Sequence, residues 1–387
     1  MIRVLHLRDT DRVCGPGKTI IETAVATDRT RFEQMVGVFV GPLESRNPFV
    51  DAAVRRGVAV VPLRASHGID PRVLMAIVRA LRGHRVDIVH SHEYKSDLLG
   101  YVASRIYGIP IVSTVHGWIT NTRRSRLLVG VSRRLIRRFD RVIAVSAGTR
   151  DAVLAHGVPA ARVVVIRNGI VTRNYRRGDH QEGLFRRRFG IPENAVLVGY
   201  VGRLSQEKGQ RVLLEAAATL VPSIPDLRVA LVGDGPDRRD LEEMARALGI
   251  LGRVVLTGHL DDVGPVYRDL DVLALTSFTE GLPNVVLEAM CMDVPVLATN
   301  VGGTSEIVQD GITGVLVPAA SPHAVAEGLR RLIGSPDWAR GLVANGRRRV
   351  EEQFEFAGRV ALEEAVYEEI VKRRDAGRAR RETQEAP

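Results

Sequence analysis

The chain of 387 residues is poor in cysteine, lysine and aromatic side chains: two Cys, four Lys and 5% Phe, Trp and Tyr together. Cys14 and Cys291 lie too far apart in sequence to suggest a disulfide framework or a zinc-ligand cluster, which fits a reducing compartment. No run approaches the roughly 18–20 uninterrupted apolar residues of a membrane span. The first residues, Met1 to Leu7, lack a basic region followed by an apolar one; they read as a β-strand, and a cytoplasmic location is expected. With 45% apolar and 26% charged residues the chain is not disordered, and its length suggests two ordinary domains.

Acid is scarce in the first half. Residues 1–190 hold 33 Lys+Arg against 15 Asp+Glu, a net of +18, and residues 191–387 hold 22 against 30, a net of −8, which sum to the overall +10. A basic half implies an anionic partner: nucleic acid, a phospholipid surface or a phosphate-bearing substrate.

Short β-branched runs alternate with helical patterns. In the first half they are 3–7, 35–40, 58–63, 86–91, 111–115, 141–145 and 163–166; in the second, 196–201, 228–232, 254–257, 272–275, 294–298 and 314–317. Between them, segments such as 73–82 and 211–221 are spaced as amphipathic helices. Strands this apolar, separated by helices, predict an α/β protein with two Rossmann-like, doubly wound parallel-sheet domains in series. We expect a first domain over 1–171, an Arg-rich linker without apolar period over 172–190, and a second domain over 191–355. A helix over 356–372 would pack back on the first domain, and 373–387 is too polar to pack.

Two motifs carry chemistry. Arg203 and Lys208 follow the strand that opens the second domain, where ligands of open parallel sheets bind. A rigid guanidinium fork and a mobile ammonium suit a diphosphate, although spacing alone equally allows a solvated surface pair. The second motif runs from Thr279 to Met290. Gly281 and Leu282 lead to Pro283, placed as the first helical residue, and Asn284 and Val285 continue the helix. Its free N–H groups offer an anion site. Glu280 before the helix and Glu288 within it could grip different portions of one extended ligand; the bland alternative is a capping Glu280 and a solvent-facing Glu288.

This arrangement resembles the family 4 retaining glycosyltransferases of the GT-B fold, whose second domain carries an Arg-to-Lys pair and then two glutamates separated by seven residues. Thr114-Val115-His116-Gly117, Ile166-Arg167-Asn168-Gly169, Leu231 to Pro236 around Gly233, Gly302 to Ile307 and Asp310 to Gly314 follow in the family's order. The resemblance implies two domains facing across a cleft. Arg203 and Lys208 would hold the diphosphate of a UDP- or GDP-sugar, with Gly233 and residues 281–285 lining the donor site. Glu280 would bind the transferred sugar, Glu288 the ribose, and His116 would sit under the donor sugar. It also implies transfer with retention to a hydroxyl, and we expect a saccharide or lipid-linked acceptor in polysaccharide or cell-envelope assembly; a same-face substitution in which the departing phosphate takes the acceptor's proton is expected over a covalent enzyme intermediate. No cofactor and no metal ligand is expected.

Two basic segments remain. Gly17-Lys18-Thr19 ends like a Walker loop, but the required first glycine falls on Arg12, so that reading fails. Instead Gly15, Gly17 and Lys18 would form a loop facing the cleft. Residues 123–138 hold seven arginines (Arg123, Arg124, Arg126, Arg133, Arg134, Arg137, Arg138) and no acid, with Leu128, Val131, Leu135 and Phe139 as an apolar stripe. A basic amphipathic helix is an interfacial signature, so we expect these arginines to face an anionic membrane, the protein being peripheral on its inner face. Packing of the stripe on the sheet is the alternative. Without a recognition module or stacking aromatics, nucleic acid is not expected. The competing functions are a non-catalytic nucleotide-sugar binder of the same fold, a nucleotide hydrolase and a nucleic-acid binder.

Overall fold

The computed structural model describes residues 1–10, 15–41, 47–64, 71–118, 123–179 and 181–385, which fall into two compact units, 1–168 with 357–387, and 169–356. Arg12 and Cys14 lie outside the described residues.

In the first unit the strands are β1 (Ile2–Arg8), β2 (Phe32–Val40), β3 (Ala59–Arg64), β4 (Ile88–Ser91), β5 (Ile111–Val115), β6 (Arg141–Ala144) and β7 (Val163–Val165). All pair in parallel in the order β3-β2-β1-β4-β5-β6-β7. The second unit holds β8 (Val196–Val201), β9 (Leu227–Val232), β10 (Val254–Gly258), β11 (Val272–Leu275), β12 (Val296–Thr299) and β13 (Val315–Val317). They form a second parallel sheet, β10-β9-β8-β11-β12-β13. Strands such as Ile111–Val115 and Val272–Leu275 are buried at every residue because helices cover both faces, which is why they read as continuous apolar runs. Each sheet reverses its winding once, between β1 and β4 and between β8 and β11. Open parallel sheets bind ligands at such switch points, beyond the carboxyl ends of the strands.

Three expectations about the chain's course are corrected. The stretch over 172–190 is not a bare linker but part of the second unit: it forms short turns and a helix, Leu184–Arg188, and buries Tyr175, Phe185 and Arg186. The Arg186 guanidinium donates to the carbonyls of Pro192, Ala195 and Asp269 and to the Asp271 carboxylate. A side chain anchored by carbonyls leaves no apolar period to read. The helix that begins at Phe356 runs on to Glu385, so the expected polar tail is helical; Ala, Glu and Arg favour helix, and Arg374 pairs with Asp87. Val366, Tyr367 and Ile370 of this helix join the first unit's core beside Val4, Phe32, Ile88 and Val112. Finally, Gly15, Gly17 and Lys18 are not a loop: they form the first turn of the helix Gly15–Ala26, with Gly17 buried.

Candidate active site

At the switch point of the second unit, β8 delivers Lys208 and β11 delivers Glu280. Lys208 lies in a single 3-10 turn, Gln206–Lys208, after β8. Its Nζ stands 2.7 Å from Glu280 Oε1, the Glu280 side chain being only 8% exposed. Ser277 Oγ donates to the same oxygen at 2.6 Å. Glu280 Oε2 has no protein partner among the described residues, so the carboxylate is oriented on one oxygen and open on the other. Ser277 had no sequence signal beyond standing three residues before Glu280.

Backbone contact makes this geometry possible. Gly302 has φ +52°, and a Cβ there would lie 1.8 Å from the Glu280 carbonyl oxygen. Gly303 N–H donates to the Gly281 carbonyl, so the loops after β11 and β12 are stitched together beneath Glu280. Gly233 has φ +136°, and a Cβ would lie 1.9 Å from the Gly202 carbonyl oxygen. Its role is to let the loops after β8 and β9 close together.

The helix after the Glu280 loop spans Asn284–Cys291. Pro283, expected as its first residue, is instead the capping residue: its ψ of 108° is extended. Leu282 and Pro283 are buried, while Gly281, Asn284 and Val285 are partly exposed at the helix start. Glu288 does not face solvent. It is 5% exposed, and its two oxygens accept from Tyr175 Oη at 2.7 Å and Tyr267 Oη at 2.8 Å. Burial and the adjoining carboxylate raise the Tyr267 phenol well above its usual range, so it stays a neutral donor. Neither tyrosine was marked by the sequence, since both are distant from Glu288 along the chain. Arg203 is exposed, and its guanidinium has no hydrogen bond or ion pair among the described residues; only its carbonyl is engaged, by Tyr200 and Gln210.

His116 belongs to the first unit, just past β5. Both its ring nitrogens are shut off from solvent and have no hydrogen-bond partner. Burial, with Arg8 and Arg359 nearby, pushes its pKa down to about 3, so the ring is neutral. Beside it lies a group the sequence analysis missed, although the alternation His90-Ser91-His92 put two rings on one strand face. His6, His90 and His92 bring one ring nitrogen each within 4.8 Å of one another. They do not suit a metal ion as they stand, because five of the six nitrogens are already used. His6 bonds Gln34 and His92; His90 bonds Tyr367 and Thr114. Burial lowers the pKa of all three rings. The adjacent Glu93 is pushed up to about 7 by burial against the opposing pull of Arg8.

The basic segment forms a helix, Arg123–Leu135, followed by a 3-10 turn, Ile136–Arg138. Its apolar side is used within the first unit. Val129, Ile136 and Phe139 are buried, and Ser132 Oγ donates to the buried Asp97. Leu128, Val131 and Leu135 are half-buried flanks. Arg133 lies over the Trp118 ring at 4.6 Å, and Arg137 donates to the His156 carbonyl. Of the expected membrane-facing set, Arg133 is thus turned to the Trp118 ring, while Arg137 stays exposed beside its carbonyl contact. Arg134 and Arg138 are exposed; the side chains of Arg123, Arg124 and Arg126 lie outside the described ones. No helix among the described residues is long and apolar enough to cross a membrane.

Comparison with known proteins decides the family. Residues 17–174 match Glycosyltransferase Family 4, and residues 182–349 match Glycosyl transferases group 1. The chain is 32% identical to a D-inositol 3-phosphate glycosyltransferase of Salinispora arenicola, over 77% of this chain and 72% of that one. The chain belongs to the family 4 glycosyltransferases. A second relative in this family, the D-inositol 3-phosphate glycosyltransferase of Salinispora tropica, is 32% identical over 73% of this chain but only 64% of its own length. An alpha-maltose-1-phosphate synthase of Mycolicibacterium smegmatis is 34% identical over 70% of this chain and 76% of that one. In fold the glycosyltransferase superimposes on Anabaena HepE, solved with UDP and glucose, with a TM-score of 0.85, 23% identity, and coverage of 95% of this chain and 100% of that one. It superimposes on sucrose-phosphate synthase of Thermosynechococcus elongatus with a TM-score of 0.80, 20% identity, and coverage of 96% and 99%. These likenesses establish the GT-B architecture of two Rossmann-like domains.

Proposed function

We propose that this protein is a retaining glycosyltransferase that transfers a sugar from a nucleotide diphosphate, UDP before GDP, to a hydroxyl of an acceptor. The Lys208–Glu280 pair at the switch point of the second unit is the observation that carries this reading. A cation and an oriented carboxylate with one open oxygen are complementary to a phosphate ester next to sugar hydroxyls. Lys208 and the exposed Arg203 neutralise the charge that grows on the diphosphate as the bond from the anomeric carbon to the phosphate oxygen breaks. Glu280 Oε2 accepts from a hydroxyl of the transferred sugar, and Glu288, held by its two tyrosines, accepts from the ribose. His116, neutral, keeps the sugar-side role that the family resemblance implies. The acceptor oxygen bonds to the anomeric carbon on the face the phosphate leaves, and the departing phosphate takes its proton. Lys208, Arg203 and the N–H groups at the start of the helix Asn284–Cys291 supply the positive charge, so the reaction proceeds without a bound metal ion.

A phosphate-bearing polyol is the acceptor class that the relatives' names favour, and the excess of positive charge over residues 1–190 is in keeping with it. A lipid-linked saccharide at the inner membrane face, as in envelope polysaccharide assembly, is the second reading; the exposed Arg134 and Arg138 favour it. The test is a panel of uridine and guanosine diphosphate sugars, scored for binding and for slow donor hydrolysis, then repeated with polyol phosphates. Lys208→Ala and Glu280→Ala should lower turnover at least about 10²-fold while the circular dichroism spectrum is retained. Unchanged turnover in either variant would remove that residue from the mechanism.

A further inference from the structure

The first unit's histidines have proton positions that the surrounding bonds dictate. Thr27 Oγ1 donates to Glu364 Oε1 at 2.7 Å, because a carboxylate only accepts. Gln34 Nε2 therefore donates to Thr27 Oγ1 at 3.1 Å, which turns the Gln34 carbonyl oxygen toward His6 Nε2 at 2.9 Å. His6 must carry its proton on Nε2, leaving Nδ1 bare. His6 Nδ1 faces His92 Nε2 at 2.9 Å, so His92 must be protonated there. The end of this chain is His92 Nδ1, a lone pair in a side chain 6% exposed, with no partner and no access to solvent.

A parallel chain fixes His90 and takes it out of consideration. Arg359 holds Glu363 in a buried ion pair at 2.8 Å, and Tyr367 Oη donates to Glu363 Oε1. The phenol oxygen is then left to accept from His90 Nδ1, and Thr114 donates to His90 Nε2. His90 is satisfied; His92 is not.

His92 is stacked near His116, their ring centroids 5.9 Å apart. A neutral His116 offers one N–H and one lone pair, and both of its nitrogens are without partners. The two rings thus present two acceptors and one donor, all buried, just past the carboxyl ends of β4 and β5. Buried polar atoms are paired in native proteins, so three orphans together mark a place for a ligand's polar groups. The chemistry of that ligand is restricted. A phosphate-ester dianion or a carboxylate has no proton to give His92 Nδ1. A cation is opposed by the Arg8 guanidinium, whose charge acts on both rings. A hydroxyl both donates and accepts.

We propose that His92 and His116 form a hydroxyl-binding subsite for a polyol or sugar, in which His92 Nδ1 is a fixed acceptor. The glycosyltransferase reading enters only through His116 and through the identity of the polyol. His92 extends that reading with a residue not otherwise assigned a role.

The test is nuclear magnetic resonance on full-length protein labelled with 15N at histidine, the His92 signals being identified with His92→Gln, whose amide can still donate to His6. In the free protein His92 should show a protonated Nε2 and a bare Nδ1. Addition of UDP-glucose, glucose or myo-inositol should move the Nδ1 resonance upfield as it gains a hydrogen bond, whereas UDP or sulfate should not. His92→Gln and His92→Phe should each lower kcat/KM at least about tenfold with an active donor, the loss expected for a buried hydrogen bond to a reacting ligand. A protonated Nδ1 in the free protein overturns the proposal. So does an unmoved Nδ1 when calorimetry shows UDP-glucose bound, or a response to zinc ion alone. Should neither UDP nor UDP-glucose bind, the glycosyltransferase reading fails, and the free polyols still decide the subsite: movement supports it, none refutes it.

Discussion

Lys208 and Glu280 offer a measurement that joins stability to chemistry. At 2.7 Å two unit charges attract by about 6 kcal/mol with an effective dielectric constant near 20. Desolvation opposes this, and Lys208 is 24% exposed, so the net coupling should be roughly 1.5–3 kcal/mol, the range for hydrogen bonds to charged groups. Lys208→Ala strands a carboxylate that is 8% exposed with Ser277 as its one donor. Adding Glu280→Gln removes the stranded charge and should recover part of the loss. The chain has two tryptophans, Trp118 in the first unit and Trp338 in the second. In a Trp118→Phe background, urea unfolding followed by Trp338 fluorescence reports the unit that holds the pair. A double-mutant cycle there should give the stated coupling. Turnover of Lys208→Ala should fall roughly 10²–10³-fold, as for loss of a group that stabilises transition-state charge. A coupling below about 0.5 kcal/mol, or a variant that keeps wild-type turnover, would refute the claim that the two groups form one functional unit.

Acid should weaken the first unit. His6, His90, His92 and His116 stay neutral in the folded chain, so below pH about 6.5 only the unfolded chain takes up their protons, at about 1.4 kcal/mol per histidine per pH unit. Glu93, raised to about 7, works the other way over pH 7 to 4.5, because the folded state binds its proton first, and Asp97, raised by burial, acts in the same direction. With four histidines against two carboxyls, the melting temperature read from Trp118 in a Trp338→Phe background should drop between pH 6.5 and 5; a flat profile would contradict the buried neutral rings. Tyr367→Phe leaves the His90 Nδ1 proton without an acceptor and should cost roughly 1–3 kcal/mol, about 2–4 °C of melting temperature per kcal/mol, in the same assay. Tyr175→Phe frees one Glu288 oxygen from its fixed orientation. Calorimetry should find its preference for UDP over 2′-deoxy-UDP reduced several-fold, and an unaltered ratio would mean the tyrosine does not orient the ribose carboxylate.

Much of the architecture could be read from residue order alone. All thirteen apolar runs are strands, with ends displaced by a few residues, because strands covered on both faces must be apolar throughout. Family membership was equally legible, since its motifs are local. The boundaries were less so: Arg186 is anchored by carbonyls, and a polar helix continues to Glu385, neither of which leaves an apolar period. The basic helix was legible only in part, for a related reason. Periodicity says that a stripe exists but not what covers it, and the first unit's own core buries Val129 and Ile136 beside it.

Local spacing, then, determined the element types, the two parallel sheets, and the candidates Arg203, Lys208, Glu280 and Glu288, to which the family resemblance added His116. Tertiary structure alone decided which of these meet. Pairing of β8 with β11 brings Lys208 to Glu280 across 72 positions of sequence, and Tyr175 reaches Glu288 across 113. His92 acquired its bare nitrogen from a carboxylate on the last helix, through Thr27, Gln34 and His6. Proton positions in a buried network depend on every partner in the chain of bonds, and those partners are neighbours only once the chain has folded.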